Sequence, residues 1–196
     1  SGWKGYSSLF DEDILNSCEF VSTYCSQLVS SALADPGKKV AIVMTGCGTS
    51  GRIAFQTARR YNRILASAGI RPLFHYLISG GDSALLLSDE LPEDDPIEGA
   101  EDLESLIQEK GSDGTFLIGV TCGLSAPYVA GQINHALEHP TKTVGAAVMG
   151  FNPVNLSRNA VIEKATEKWT FRDIARKLEK ASQAPASDRR FAVLNP

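Results

Sequence analysis

The spacing of apolar residues changes along the chain. From residue 11 to residue 34 they recur every three or four positions, which predicts an amphipathic helix with one buried face. The predicted face consists of Ile14, Leu15, Cys18, Val21, Cys25, Leu28, Val29 and Leu33. The sequence "DPGKK" ends this helix, because proline and glycine do not easily continue one. The following "VAIVMTG" is almost wholly apolar, as expected for a parallel strand covered on both faces.

Helices and strands then alternate to the end of the chain. The pattern predicts further helices at 50–68, 96–109, 126–137 and 171–181, and further strands at 72–78, 115–121, 143–149 and 191–194. Such alternation favours a doubly wound fold. We therefore predict a three-layer α/β/α sandwich of the flavodoxin-like type, with a five-stranded, mostly parallel sheet. We assign residues 1–35 to an N-terminal helical segment and residues 36–196 to the α/β domain.

The last predicted strand ends two residues before the end of the sequence. Ligands of doubly wound sheets sit beyond the carboxyl ends of the strands. The first residue is also Ser rather than Met. We therefore expect the chain to be a fragment that is truncated at its C-terminal end.

Composition excludes several classes of function. The chain has 196 residues, 43% of them hydrophobic, and a net charge of −4, which predicts a globular domain without a nucleic-acid partner. No apolar run reaches the roughly 18 residues of a membrane span, and no signal peptide precedes the first helix. The four cysteines lack metal-site spacing. We predict a cytoplasmic protein with no membrane contact, no metal site and no cofactor.

The first candidate site is the segment "TGCGTSGR", which follows the first predicted strand. Gly48 permits close approach of a ligand, Thr49 and Ser50 offer hydroxyls, and the next helix offers free amides and a positive dipole end. The segment is neither a Walker loop nor a dinucleotide fingerprint. Spacing alone leaves two alternatives open: a phosphate-binding loop, or a tight turn with Ser50 as the helix N-cap. Arg52 is either a counter-charge or a partner for an acid of the helical layer.

A second loop, "TCGLSAP", repeats the arrangement after the strand at 115–121. Thr121 and Ser125 flank Gly123, and we predict Ser125 as the N-cap of a helix with Pro127 in its first turn. The two strands are expected to be neighbours. Their loops would then hold one phosphate from two sides, which favours the phosphate interpretation of the first loop.

An acidic segment lies between the two loops. Its carboxylates Glu90, Glu93, Asp94 and Asp95 are candidates for hydrogen bonds to sugar hydroxyls or for acid–base chemistry, with solvated surface charge as the alternative for most of them. The three histidines do not accompany a serine in a way that predicts a catalytic triad.

Six segments in the same order carry a family resemblance. They are "GTSGR" (48–52), "LISGGDSALL" (77–86), "PEDD" (92–95), "GLSAPYVAGQ" (123–132), "GFNPV" (150–154) and "VLNP" (193–196). In these segments the chain resembles the sugar isomerase (SIS) family, and within it the amino-terminal SIS domain of the glucokinase regulatory proteins. The catalytic relatives of that group are the N-acetylmuramic acid 6-phosphate etherases.

The resemblance implies a ligand and a set of ligand-binding residues. It implies that Gly48, Thr49 and Ser50 bind a sugar phosphate, that Thr121, Gly123 and Ser125 form the second phosphate loop, and that Glu93 contacts the sugar. A fructose 6-phosphate or fructose 1-phosphate would be the ligand. The partners implied are a glucokinase or other hexokinase and a second SIS domain, in tandem or in a dimer. The resemblance also allows a nuclear location.

Catalysis is disfavoured by one position. The resemblance implies that one of the two catalytic glutamates of the etherases falls on Glu93 and that the other, counted without a gap, falls on Arg60. An arginine cannot act as a base because its pKa stays above about 12. We therefore expect a sensor rather than an enzyme and assign no catalytic residue. Two alternatives remain: an etherase or other SIS enzyme, and a structural half whose function resides in a second SIS domain.

Overall fold

The computed structural model describes residues 8–86, 91–165, 167–185 and 187–195. Five strands form one sheet in the order β2-β1-β3-β4-β5, and each neighbouring pair is parallel. The strands are β1 (Val40–Gly46), β2 (Phe74–Ile78), β3 (Gly114–Val120), β4 (Thr143–Met149) and β5 (Phe191–Leu194). The α-helices of the described ranges are α1 (Glu12–Ala34), α2 (Gly48–Ser67), α3 (Pro96–Lys110), α4 (Pro127–Glu138) and α5 (Phe171–Ser182). The predicted α/β fold with a five-stranded parallel sheet is confirmed.

The sheet is the middle of three layers. Ala41 and Val43 of β1 belong to the core cluster on the side of α3, α4 and α5, whereas Val40 and Ile42 belong to the cluster on the side of α1 and α2. Successive side chains of a strand point to opposite faces, so a strand between two helical layers needs apolar residues at every position. This is why "VAIV" is apolar without alternation. Within the described ranges, no helix has both the length and the apolarity needed to cross a bilayer.

Helix α1 packs on the sheet with most of its predicted face: Ile14 is buried, and partly buried side chains that pack against the core are Val21, Cys25, Leu28 and Val29. The ring of Tyr24 stacks on Phe116 of β3 at a centroid distance of 4.9 Å, and its hydroxyl donates to the carbonyl of Val144 at 2.9 Å. Leu15, Cys18 and Leu33 are exposed, so their assignment to the buried face was wrong. The physical reason is that the large aromatic residues of α1 turn towards the sheet, and periodicity alone did not include them.

Helices α3 and α4 are in backbone contact. A Cβ atom on Gly131 would lie 1.9 Å from the carbonyl oxygen of Pro96, and one on Gly99 would lie 2.1 Å from that of Tyr128. Only glycine permits this approach. At the contact, the buried Tyr128 hydroxyl donates to Asp102 Oδ2 at 2.6 Å. Burial, together with this hydrogen bond, raises the pKa of Tyr128 above its ordinary value. The contact fixes α4, and with it the loop that precedes α4.

Candidate functional site

The two predicted loops leave adjacent strands. Gly46 pairs with Val120 at the carboxyl ends of β1 and β3. The chain order reverses here, because β1 is followed outward by β2 on one side while β3, β4 and β5 follow on the other. Such a switch point is where doubly wound sheets bind their ligands. The expectation that the two loops are neighbours is therefore confirmed.

The first loop is shorter than predicted, because α2 begins at Gly48. The N-cap is Cys47, and it makes no side-chain capping bond. Ser50 lies in the first helical turn, so its prediction as the N-cap was wrong. The amide of Gly51 already bonds to the carbonyl of Cys47 at 3.2 Å, and the amides before it have no acceptor inside the helix. The turn Gly48–Ser50 therefore presents backbone donors and two hydroxyls at a positive helix end.

Gly48 has a backbone angle that disfavours other residues. Its φ is +49°, and a Cβ atom there would lie 3.1 Å from Oε1 of Glu93. Glu93 belongs to the 3₁₀ turn Leu91–Asp94, and its carboxylate reaches the start of α2. The structure thus brings the predicted acid against the first predicted loop, although the two are 45 residues apart in the sequence.

The second loop is held by its own backbone and by one buried hydroxyl. Thr121 is 4% exposed, and its Oγ1 accepts from the amide of Ser125 at 3.3 Å. Leu124 has a φ of +49° and donates its amide to the carbonyl of Thr121 at 3.2 Å. Thr121 therefore shapes the loop, while Gly123 and Ser125 are only partly buried. The N-cap of α4 is Ala126, so the prediction of Ser125 as N-cap was also wrong, whereas Pro127 does open the helix.

The segment after β4 supports the second loop. The Nδ2 of Asn152 donates to the carbonyl of Gly123 at 3.1 Å, and the amide of Phe151 donates to that of Cys122 at 2.8 Å. The sequence showed these residues only as part of "GFNPV", without a role. Their contacts indicate that the motif fixes the conformation of the neighbouring loop.

The other carboxylates of the acidic segment have structural partners. Asp94 bonds to Arg158 at 2.9 Å. Asp95 is the N-cap of α3, accepts from the amides of Ile97 and Glu98, and bonds to Lys164 at 2.9 Å. The hydrogen bond from Lys164 lowers the pKa of Asp95. Glu90 lies outside the described residues. Glu93 is therefore the candidate acid whose carboxylate faces the first loop.

Two arginines of α2 have different positions. The guanidinium of Arg52 donates to the carbonyls of Ala84 and Leu85 at 3.1 and 3.3 Å, which ties α2 to the turn after β2. Arg60 is exposed. It is ten residues beyond Ser50, about 15 Å along the helix axis. That separation places Arg60 away from a ligand held at the two loops of the same chain.

The cysteines next to the loops differ in environment. Cys47 is buried and Cys122 is exposed. The pKa of the Cys47 thiol is raised to about 12, mainly by burial and in addition by the nearby carboxylate of Glu93, while the hydroxyl of Ser79 acts in the opposite direction. Cys47 therefore remains a neutral thiol at physiological pH. Over the described ranges no group of three metal-ligating side chains could hold a metal ion.

Another concave region lies away from the loops. A groove of about 560 Å³ runs along the outer edge of β2 and is lined by charges of both signs, among them Arg59, Lys110, Asp102 and Glu109. Mixed charges do not select an anion. The loops at β1 and β3 combine amides, hydroxyls and one carboxylate, and this set suits an anion attached to a hydroxyl-bearing body.

A parallel sheet with hydroxyl-bearing loops at the carboxyl ends of the adjacent strands β1 and β3 defines the class: a doubly wound α/β domain with a ligand site at its switch point. Comparison with known families agrees. The sequence profile of the glucokinase regulatory protein N-terminal SIS domain matches residues 24–137. The chain belongs to this family.

Individual relatives agree with the profile. The glucokinase regulatory protein of Xenopus laevis is 35% identical over 97% of this chain, which spans 29% of that protein. The human glucokinase regulatory protein is also 35% identical over 97% of the chain, which spans 28% of it. An N-acetylmuramic acid 6-phosphate etherase of Staphylococcus epidermidis is 26% identical over 78% of the chain, which spans half of that enzyme. The chain thus spans less than a third of the regulatory proteins that it matches.

Proposed function

We propose that this domain binds a sugar phosphate across the two loops and serves as the sensing part of a glucokinase-regulatory-type protein. The observation that carries the proposal is the convergence of three parts: the first turn of α2, the loop after β3, and the carboxylate of Glu93 over Gly48. The phosphate would take the amides and hydroxyls of Gly48, Thr49, Ser50, Gly123 and Ser125, in a loop shaped by Thr121. Glu93 would accept hydrogen bonds from sugar hydroxyls.

The preferred ligand is a fructose phosphate, either fructose 6-phosphate or fructose 1-phosphate. This choice rests on the family resemblance of the sequence, since the residues of the loops would select only a phosphate and Glu93 only a hydroxyl. Occupancy would change the affinity for a hexokinase-type partner. A ligand can do so only by its differential affinity for two states, a coupling of about 1–3 kcal/mol. The proposal also holds that this domain pairs with a second SIS domain, in tandem or from a second chain, and that the protein is located in the cytoplasm or the nucleus.

A thermal-shift experiment on the full-length protein tests the binding. The ligands are fructose 6-phosphate, fructose 1-phosphate, sorbitol 6-phosphate and N-acetylmuramic acid 6-phosphate, with fructose as the control without phosphate. A ligand at 100 times its Kd stabilises the folded state by about 2.7 kcal/mol. We expect at least one fructose phosphate to raise the midpoint while fructose does not. If none of the phosphates changes it, the proposal fails.

A kinase assay tests the regulatory part. Glucokinase activity is measured with the full-length protein at rising concentration, with and without the fructose phosphate that binds. We expect inhibition whose midpoint shifts by about 5- to 150-fold between the two conditions. Inhibition that is absent, or that is identical with and without ligand, would remove the regulatory part and leave the binding part intact.

Etherase activity is the second candidate, favoured by the etherase relative and by the family resemblance, which implies that Glu93 falls on one of the two catalytic glutamates of the etherases. Ether cleavage needs a base for the proton next to the carbon that carries the leaving group, and an acid for departure or rehydration. Asp94 and Asp95, the two residues after Glu93, are paired with Arg158 and Lys164 respectively. Steady release of lactate from N-acetylmuramic acid 6-phosphate by the full-length protein would establish this candidate and displace the sensor.

A further inference from the structure

Arg158 connects two parts of the proposed site that are distant in the sequence. Its guanidinium donates to Oδ1 of Asp94 at 2.9 Å and, from the same nitrogen, to the carbonyl of Ser125 at 3.4 Å. Its amide donates to the carbonyl of Leu124 at 3.1 Å. One residue therefore contacts both the acidic turn and the second loop.

The backbone of Arg158 is itself anchored. Its carbonyl accepts from the amide of Arg172 in the first turn of α5 at 3.0 Å, and the guanidinium of Arg172 donates to the carbonyl of Ser157 at 2.8 Å. The second loop is attached to the backbone amide of Arg158 and, by a longer bond, to its side chain, whereas the acidic turn is attached to the side chain alone. A change of the Arg158 side chain therefore releases the acidic turn but leaves the main attachment of the loop.

The ion pair is poorly placed to stabilise the fold. The side chain of Arg158 is 37% exposed and that of Asp94 is 62% exposed. Pairs as exposed as this contribute little to the free energy of unfolding, because water and salt screen them. The ion pair can instead affect the position of the acidic turn. Asp94 follows Glu93 in the same 3₁₀ turn, and the carboxylate of Glu93 lies over Gly48.

We infer that Arg158 is a positioning residue of the ligand site, which holds the turn of Glu93 at a fixed distance from the second loop. This inference rests on the proposed sugar-phosphate function and adds a residue to it. Arg158 acts through Asp94 on Glu93, so it should matter for ligands that carry sugar hydroxyls. It should matter little for a bare phosphate that only the loops hold.

The test compares two ligands on variants of the full-length protein. The affinities for fructose 6-phosphate and for inorganic phosphate are measured by calorimetry, the latter by competition if it is weak. For Arg158→Gln we expect the affinity for the sugar phosphate to fall about three- to fivefold, because an exposed ion pair can bias the position of Glu93 by no more than its own modest free energy. The affinity for inorganic phosphate should change by less than about twofold. Asp94→Asn, which breaks the same ion pair from the other side, should give the same pattern.

Three further variants make the test specific. Arg158→Lys should recover part of the sugar-phosphate affinity, because an ammonium can reach Asp94 but lacks the planar fork. Arg158→Gln combined with Glu93→Gln should bind no worse than Glu93→Gln alone, since both changes act on one group. Lys164→Gln is the matched control: it removes a 2.9 Å ion pair to the neighbouring Asp95 but no recorded contact to the second loop. Its affinities should stay unchanged.

The outcomes separate the two proposals. Normal binding of the sugar phosphate by Arg158→Gln, equal losses for both ligands, or additive losses in the double variant would each overturn the positioning role while the sensor function stands. If the unmodified protein binds none of the sugar phosphates, the proposed function fails and the role of Arg158 fails with it.

Discussion

The carboxylate of Glu93 lies over Gly48, so close that a Cβ atom on Gly48 would be 3.1 Å from Oε1. The contact joins the acidic turn to the first turn of α2, and it occurs where the backbone of Gly48 has a φ of +49°. Position 48 is therefore restricted twice, by its backbone angle and by its neighbour.

Gly48→Ala is expected to weaken ligand binding as well as stability. The left-handed backbone angle costs a non-glycine residue about 1–2 kcal/mol of folding free energy. The new methyl group would in addition push the Glu93 carboxylate away from the site. Unfolding in urea and calorimetry with the sugar phosphate measure the two effects.

Gly69→Ala is the control for this change. Gly69 also has a positive φ, +71°, but a Cβ atom there meets nothing within 4 Å. It should lose a similar amount of stability and keep its ligand affinity. Equal affinities in the two variants would show that the contact between Gly48 and Glu93 is irrelevant to binding.

Ser50→Ala should weaken sugar-phosphate binding by about 1–3 kcal/mol, the range for a hydrogen bond to a charged group. Its effect on the melting temperature should be small, because Ser50 is not the N-cap of α2. Ser67→Ala removes a hydroxyl from the other end of the same helix, where it bonds to the carbonyl of Ile64. Calorimetry that gave both variants the same affinity would mean that the first loop is only a turn.

The sequence was sufficient to predict the three layers and the adjacency of the strands β1 and β3. Parallel strands buried on both faces must be apolar throughout, and "VAIVM" and "TFLIGV" are recognisable for that reason. The two loops follow from the ends of those strands. The buried face of α1 was predicted only in part, because apolar periodicity did not include Tyr24, whose ring packs on Phe116.

The parts of the site that escaped prediction depend on contacts between distant segments. The observed N-cap of α2 lies three residues before the predicted one, and that of α4 lies one residue after it. Backbone angles rather than residue type decide whether Cys47 or Ser50 opens α2. Arg158 and Asp94 are 64 residues apart. Neither sequence spacing nor residue type indicates that pair, because it forms only when the segment after β4 folds back over the acidic turn.

Tyr128→Phe tests the contact between α3 and α4. The change leaves the ring in place and removes the hydroxyl that donates to Asp102 Oδ2 at 2.6 Å. We expect the free energy of unfolding to fall by about 1–3 kcal/mol, because the carboxylate loses a buried donor. Tyr61→Phe is the matched control, since Tyr61 is 47% exposed. Urea unfolding that gives both variants the same stability would contradict a role for this hydrogen bond.

The Cys47 thiol should make the stability depend on alkaline pH. Its pKa is raised from 9.0 to about 12, mainly by burial. Between these values the unfolded chain releases a proton that the folded chain keeps. The stability due to this group is therefore complete below pH 9 and is lost as the pH rises towards 12, by roughly 1.4 kcal/mol per pH unit.

Cys47→Ala should show a shallower loss than the unmodified protein in urea unfolding between pH 8 and pH 11. Cys18→Ala, at an exposed position, should follow the unmodified protein. Parallel curves for all three proteins would show that Cys47 ionises as readily in the folded state as in the unfolded state.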